Sequence, residues 1–400
     1  MSIRFSFNVD KQKFIGIYMR TSIIVIFLLF FVAIYSAAVY YVYSRGIHAF
    51  APNQPLKRWL TIIYWIVAYM FFAGMILERT ASSAFSEFVF RIGTFWLPFL
   101  LYLLFALIFI DIVRGLNYFF KFLPPATASL KMIVASIVLG VVTLVILLGY
   151  INALNVRVVN VPVSIAKTVD GDKKMRVLMV SDVHLGALIG ERHEKRLLRM
   201  VKEQSPDLVL ICGDLIDSEI APVVRKNLGR HIQEIDTPMG VYAITGNHEY
   251  IGGINQSLNY LKSINITMLI DTVVTLPNGV QLVGRNDRAA GGFGKLAQKP
   301  LELLMENVDR DKPVIVMNHQ PYNLDEAVTA GADLHLSGHT HHGQIWPLNM
   351  VTSALFELSW GYLQKGNTHF YVSSGFGTWG PSVRLGNRPE VVVIDVTFEN

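Results

Sequence analysis

Five short blocks in this chain set oxygen and imidazole donors at close spacing: Asp182-Val183-His184, Gly213-Asp214-Leu215-Ile216-Asp217, Gly246-Asn247-His248-Glu249, Asn318-His319 and Gly338-His339-Thr340-His341. The donors are carboxylates, amides and imidazoles, with no thiolate, a set that suits divalent metals such as Mn, Fe or Zn rather than a closed structural zinc site. Residues at i and i+2 on a strand end point to one face, so Asp182 and His184 can grip a single ion. His339 and His341 repeat that spacing. Taken singly, each residue has a plainer reading: a lone buried histidine is more often a satisfied core group than a ligand, and Asp or Asn beside Gly often marks a turn or a helix cap. That reading accounts for the residue types but not for their joint order.

Such chemistry requires that blocks far apart in sequence meet in space. Most of them follow directly on a short apolar run. The runs predict core strands at Arg176 to Val180, Leu208 to Ile211, Val241 to Ile244, Val280 to Val283, Val314 to Met317, Leu334 to Leu336, Phe370 to Val372 and Val391 to Val396. Glu191 to Gln204 and Leu301 to Val308 carry apolar residues at helical spacing. Short apolar strands alternating with amphipathic helices indicate an α/β domain. In open α/β sheets ligands gather at the carboxyl ends of strands, so the loops can converge on one edge.

The order and spacing of the blocks resemble the calcineurin-like metallophosphoesterase family, whose pattern is D-x-H, G-D-x-x-D, G-N-H-D/E, H and G-H-x-H. The likeness covers about the last 230 residues, from near Met175 onward. The Gly-rich end from Gly375 to Pro389 and the Ser337 to Gln344 block further resemble a membrane-anchored bacterial branch. The resemblance implies a two-sheet β-sandwich flanked by helices and a binuclear centre. It assigns Asp182, His184, Asp214 and His341 to a first ion and Asp214, Asn247, His319 and His339 to a second, with Asp214 bridging. Mn is the foremost candidate, with Fe, Zn or Mg as alternatives. His248 would face the substrate phosphate as acid or charge stabiliser, with Glu249 holding its imidazole. Two ions about 3.5 to 4 Å apart would acidify a shared water to hydroxide near neutral pH. One departure is His342, where the family often has Gly. Asp217 reads as a supporting or capping residue, and His335, His342 and Asp287 as structural or rim residues.

The first part of the chain is of another kind. Hydrophobic residues make up 52% of the sequence and charged residues 16%, against a soluble norm of about 25% charged. Four nearly uncharged stretches, Thr21 to Ser44, Trp59 to Leu77, Ile92 to Ile110 and Met132 to Asn155, reach the roughly 20 residues a membrane span needs. Tyr40, Tyr41, Tyr43, Trp59 and Tyr64 lie near span ends, where interfacial aromatics gather. The expected organisation is a four-span α-helical membrane domain over 1–157, a linker over 158–174 with one extended piece, and the metallophosphoesterase domain over 175–400. The Lys and Arg tally at span ends is nearly tied and leans to a cytoplasmic domain on a bacterial inner membrane. The single cysteine, Cys212, forbids an intrachain disulfide, and a net charge of +5 without a long basic block is no nucleic-acid footprint.

These features lead to an expected membrane-anchored phosphoesterase acting on a phosphoester or pyrophosphate, lipid-linked because the enzyme is held at a bilayer. The segment from Ile345 to Trp360, apolar for a loop, is expected to line the mouth and meet acyl or prenyl chains. A nuclease or nucleotide phosphodiesterase is the runner-up, and would call for a basic and aromatic groove that the sequence does not display. A membrane sensor or binding module on the same fold is the third reading, disfavoured by the intact donor set.

Overall fold

A computed structural model describes residues 26, 29–50, 54–125, 127–293 and 297–399. Three of its helices are long and apolar enough to cross a membrane: α2 (Gln54–Ala81), α3 (Ala84–Phe120) and α4 (Ala128–Ala153). They contain the second and third expected spans and all but the last two residues of the fourth. Pro98 sits inside α3, which continues through it. The expectation of four spans is corrected to three candidates among the described residues. Much of the first half of the Thr21 to Ser44 stretch lies outside those residues, and its remainder belongs to a helix, α1, over 29–50. The chain divides into two compact units. One holds the described part of Met1–Ala68 with Phe99–Thr143; the other holds Tyr69–Pro98 with Leu144–Asn400. Within the first, Tyr41 donates to Asp111 Oδ2 at 2.7 Å, and Arg45 and Arg114 pair with the same carboxylate.

The second unit is built on two six-stranded mixed sheets. Among the described residues the strands are β1 (Arg157–Ile165), β2 (Lys174–Val180), β3 (Leu208–Cys212), β4 (Val241–Ile244), β5 (Thr267–Met268), β6 (Thr272–Thr275), β7 (Gln281–Gly284), β8 (Val314–Met317), β9 (Leu334–Ser337), β10 (Gly361–Lys365), β11 (Thr368–Val372) and β12 (Glu390–Phe398). Their orders are β1-β12-β2-β3-β4-β5 and β10-β11-β9-β8-β7-β6. All eight expected strands are present. The strands β2 to β5 run parallel, as do β7, β8, β9 and β11.

Side chains alternate across a strand, and that period assigns the layers. Val177, Met179, Leu208 and Leu210 face Leu282, Ile315, Leu334 and Leu336 between the sheets. The intervening Leu178, Val180, Val209 and Ile211 pack against Leu197, Leu198 and Val201 of helix Glu191–Gln204. On the far side Val283, Val314 and Val316 meet Leu301, Leu304 and Leu324. Strands buried on both faces read as continuous apolar runs, which is why they were legible.

The stretch expected as a linker, 158–174, supplies most of β1, which pairs in parallel with β12 along its length. Glu390, at the start of β12 and wholly buried, ties this edge down. It accepts from Arg157 Nη2 at 2.9 Å, Trp360 Nε1 at 3.0 Å, Ser374 N at 3.1 Å and Tyr371 OH at 3.2 Å. Removing one partner of a buried ion pair leaves the others uncompensated. Glu390→Ala is therefore expected to cost about 3 kcal/mol and lower the melting temperature of the detergent-solubilised chain by roughly 6 to 12 °C; a shift under two degrees would contradict this account of the edge.

Candidate metal centre

The carboxyl ends of β2, β3, β4, β8 and β9 carry the five blocks, so both sheets contribute to one site. Asp182 and His184 follow β2, Asp214 follows β3, Asn247 and His248 open the helix after β4, His319 follows β8, and His339 and His341 follow β9. All seven sequence-named donors converge. His184 Nε2 lies 3.0 Å from His341 Nε2, which is 3.5 Å from Asp182 Oδ1. His319 Nε2 is 3.1 Å from Asp214 Oδ2, and His339 Nδ1 is 2.9 Å from Asn247 Oδ1. Asp182, His184 and His341 form one tight group, and Asp214, His319 and His339 a second; His184 and Asp214 also cluster with His248.

Three observations test whether metal ions fit here. First, His319 Nδ1 sits 2.8 Å from the Cys212 carbonyl. A carbonyl only accepts, so Nδ1 carries the proton and Nε2 presents a lone pair to Asp214 Oδ2. Nε2 is buried and makes no hydrogen bond. Facing lone pairs require a proton or a metal ion between them. Burial opposes a charge on His319, but Asp214 outweighs it and raises the imidazole well above its ordinary value. Second, burial and the neighbouring His319 push His339 down to about 3, and burial with His184 and Arg384 holds His341 well below the usual range. Both are neutral near pH 7, the state a metal ligand needs. Third, Asp182, His184, Asp214, His339 and His341 all have φ between 45° and 73°. Left-handed backbone costs a non-glycine residue roughly 1–2 kcal/mol and clusters at functional sites. The donor set fits divalent ions.

The backbone around these donors is shaped to let them close in. Asp182 accepts from His339 N with both oxygens at 3.0 Å, and Asp214 Oδ1 accepts from His248 N at 2.9 Å. A Cβ at Gly338 would collide with Asp182 Oδ2, and one at Gly246 with Asp214 Oδ1. These glycines are close-approach positions, not merely turn punctuation.

A model of the family described as Calcineurin-like phosphoesterase matches residues 175–343. An uncharacterized metallophosphoesterase of Aquifex aeolicus is 31% identical over 226 residues, covering 56% of this chain and 85% of that protein. The chain belongs to the calcineurin-like metallophosphoesterase family. With it, the chain joins the metal-dependent phosphoester hydrolases. An uncharacterized metallophosphoesterase of Campylobacter jejuni is 34% identical over 226 residues, covering 56% of this chain and 59% of that one. A Bos taurus transmembrane protein with metallophosphoesterase domain is 32% identical over 270 residues, 63% of this chain and 60% of that one. The chain thus spans about three fifths of these last two relatives.

Around the metallophosphoesterase donors, one expected contact is corrected. Glu249 does not hold the His248 imidazole; it turns back to accept from Ile216 N at 2.9 Å and Gly246 N at 2.8 Å, fixing the turn. Asp217 Oδ1, at 2.9 Å, and Ser218 Oγ, at 3.0 Å, hold His248 Nδ1 instead. Burial works against a charged His248, but Asp214 and Asp217 raise it to about 9. Where the family often has Gly, His342 keeps the left-handed turn at φ 44°. Thr340 Oγ1 accepts from its N at 3.1 Å, and its ring meets Ser359 and Trp360. Asp287 accepts from Gln320 Nε2, and His335 packs on Phe370 inside the sheet, both as rim or structural residues. Sequence reading missed Arg384, wholly buried, whose Nη2 lies 3.2 Å from His341 Nδ1. Its only signal was a charged residue inside the Gly-rich end.

Gly338→Ala is expected to displace Asp182 and weaken Mn binding by about tenfold or more with the fold intact, read by titration and far-UV circular dichroism. Gly190→Ala, which meets open space, serves as control, and equal affinity in the two variants would refute the close-approach argument.

Proposed function

We propose that this chain is a membrane-anchored, two-metal phosphoesterase that hydrolyses a phosphoester or pyrophosphate of a lipid-linked substrate. The observation that carries the reading is the pair of lone-pair clusters meeting at Asp214, whose carboxylate lies 3.1 Å from His319 Nε2 and 3.9 Å from His184 Nε2. Asp182, His184, Asp214 and His341 would hold one divalent ion and Asp214, Asn247, His319 and His339 the other, Mn foremost. Bound there, the ions supply Lewis acidity to phosphate oxygens and acidify a water.

The chain's own residues do the rest. His248 stands against the first group, its ring 4.6 Å from that of His184. With Nδ1 engaged by Asp217, its Nε2 is free to face the leaving oxygen and give it a proton. Asp217 and Ser218 orient that ring. At the mouth, Phe356 packs 6.1 Å from the His339 ring and 4.8 Å from Tyr322, over which Arg288 lies at 4.5 Å. An apolar wall with a cation beside it suits a chain-bearing phosphate.

His248→Ala is expected to keep both metals and lose about 100-fold in kcat, whereas Asp214→Ala should lose both ions. Metal content and hydrolysis of bis(p-nitrophenyl) phosphate, measured on the same preparations, separate the two. Unchanged turnover in His248→Ala would remove its role. A panel of lipid-linked and soluble phosphoesters with Mn tests the substrate class, and preference for soluble nucleotides would sink the lipid assignment.

A further inference from the structure

The segment after the metal blocks contains a helix with its polarity inside out. No residue of Leu348–Leu355 is fully buried. Leu348, Met350, Val351 and Leu355 are all exposed, Met350 to 65% and Leu355 to 68%. The polar Asn349 and Thr352 are the less exposed positions, and Asn349 Oδ1 is buried. A surface helix in water shows the opposite arrangement. Trp346 before the helix and Trp379 from a neighbouring loop are exposed as well. Scattered apolar residues on a surface need no explanation, but a contiguous patch does.

What lies beside the patch names its partner. Arg384 N donates to Gly149 O at 2.9 Å, and Asn152 Nδ2 donates to the carbonyls of Arg384 and Asn387 at 3.0 and 2.7 Å. Both acceptor and donor belong to the last turns of α4. Gly149 is four residues from Ala153, hence within roughly 6 Å of the helix end at 1.5 Å per residue. The side chains of Val383 and Leu385 fill the space beside it. Leu385 then donates to Gln344 O at 3.0 Å and accepts from Trp346 N at 2.7 Å. The patch is therefore joined through one loop to the end of a helix apolar enough to span a membrane. From Gln344 to Gln364 there is no Lys or Arg, so any attraction to a membrane there is apolar rather than electrostatic.

We infer that the helix Leu348–Leu355, with Trp346 and Trp379, lies in the headgroup and upper acyl layer of the bilayer that α4 crosses, a second membrane contact whose partner is the lipid surface itself. Tryptophan and exposed aliphatic side chains are the residues that favour this layer. The inference rests on the membrane-anchored reading above, and it is independent of the chemistry assigned to the metal centre.

The test uses the full chain in phosphatidylcholine proteoliposomes, with a nitroxide on Met350→Cys and, as control, on Lys202→Cys at the exposed end of helix Glu191–Gln204. Cys212 is buried and stays unlabelled. At position 350 collisions with oxygen are expected to exceed those with a water-soluble nickel chelate by about fivefold or more, with the reverse at 202. A water-like result at 350 overturns the inference, and so does spin–spin broadening at 350 in both detergent and bilayer, which would assign the face to a second copy of the chain. Because the readout is depth, a water-like label in protein that still binds Mn and cleaves a soluble phosphoester sinks the docking alone; a lipid-like label in protein that cleaves nothing sinks the phosphoesterase reading alone.

Discussion

Two buried carboxylates at the ends of neighbouring parallel strands, Asp182 after β2 and Asp214 after β3, set the terms for the rest of the site. Removing a carboxylate from water costs several kcal/mol unless opposite charge and hydrogen bonds replace what it loses. Backbone N–H groups supply part of the compensation, two bonds from His339 N and one from His248 N. Among the described residues no lysine is paired with either carboxylate, and imidazoles lie beside both. Burial drives Asp182 up, while Asp214 is held well below the usual carboxylate range: burial opposes that, and His319 and His248 win. A pocket that presses buried carboxylates and imidazoles together is stable with positive charge in it, whether protons on His319 and His248 or divalent ions. The left-handed backbone at five of the donors and the glycines that would clash with any Cβ are consequences of pressing those donors together.

How much of this was readable from the sequence follows from which signals are local. Strands β2, β3, β8 and β9 are buried on both faces and appear as unbroken apolar runs with a polar block at the end, so the converging edge could be inferred. The short strands β5 and β6 and the mostly half-exposed β10 have no such run. The pairing of β1 with β12 joins residues more than two hundred positions apart, which no local pattern encodes. The helix Leu348–Leu355 was legible as an apolar stretch, but not as a helix whose apolar side faces outward. Sequence adjacency points to Glu249 as the partner of His248, whereas Asp217 lies 31 positions away; the turn after Gly246 aims Glu249 at backbone N–H groups and leaves Asp217 for the ring.

The second unit also explains why a catalytic domain and helix ends can form one body. Glu87, in the first turn of α3, pairs with Arg225 and with Lys226, the latter at 2.7 Å. Asn152 and Gly149 engage the Arg384 loop. The C-terminal end of α2, the N-terminal end of α3 and the C-terminal end of α4 fall at one side if these helices cross a membrane in turn. Isolated exposed ion pairs contribute little, but Glu87 is only 13% exposed and receives two cations. Together with the β1 edge that follows α4 after a few residues, these contacts join the helix ends to the sheets.

Arg384 joins these two themes in a single residue. Its backbone is hydrogen-bonded to Gly149 and Asn152 of α4, while its buried guanidinium donates to the carbonyls of Gly375 and Gly377 and to Asn387 Oδ1 and lies 3.2 Å from the ring of His341. A guanidinium is planar, so several simultaneous bonds leave it little freedom. Asn387 in turn donates to the carbonyls of His341 and His342, at 2.8 and 3.0 Å. The position of one metal-block histidine is thereby referred directly to the last turns of an apolar helix, through bonds spanning four residues of loop. The distance of the donor cluster from that helix end is then a property of the loop's backbone geometry, not of the length of a tether.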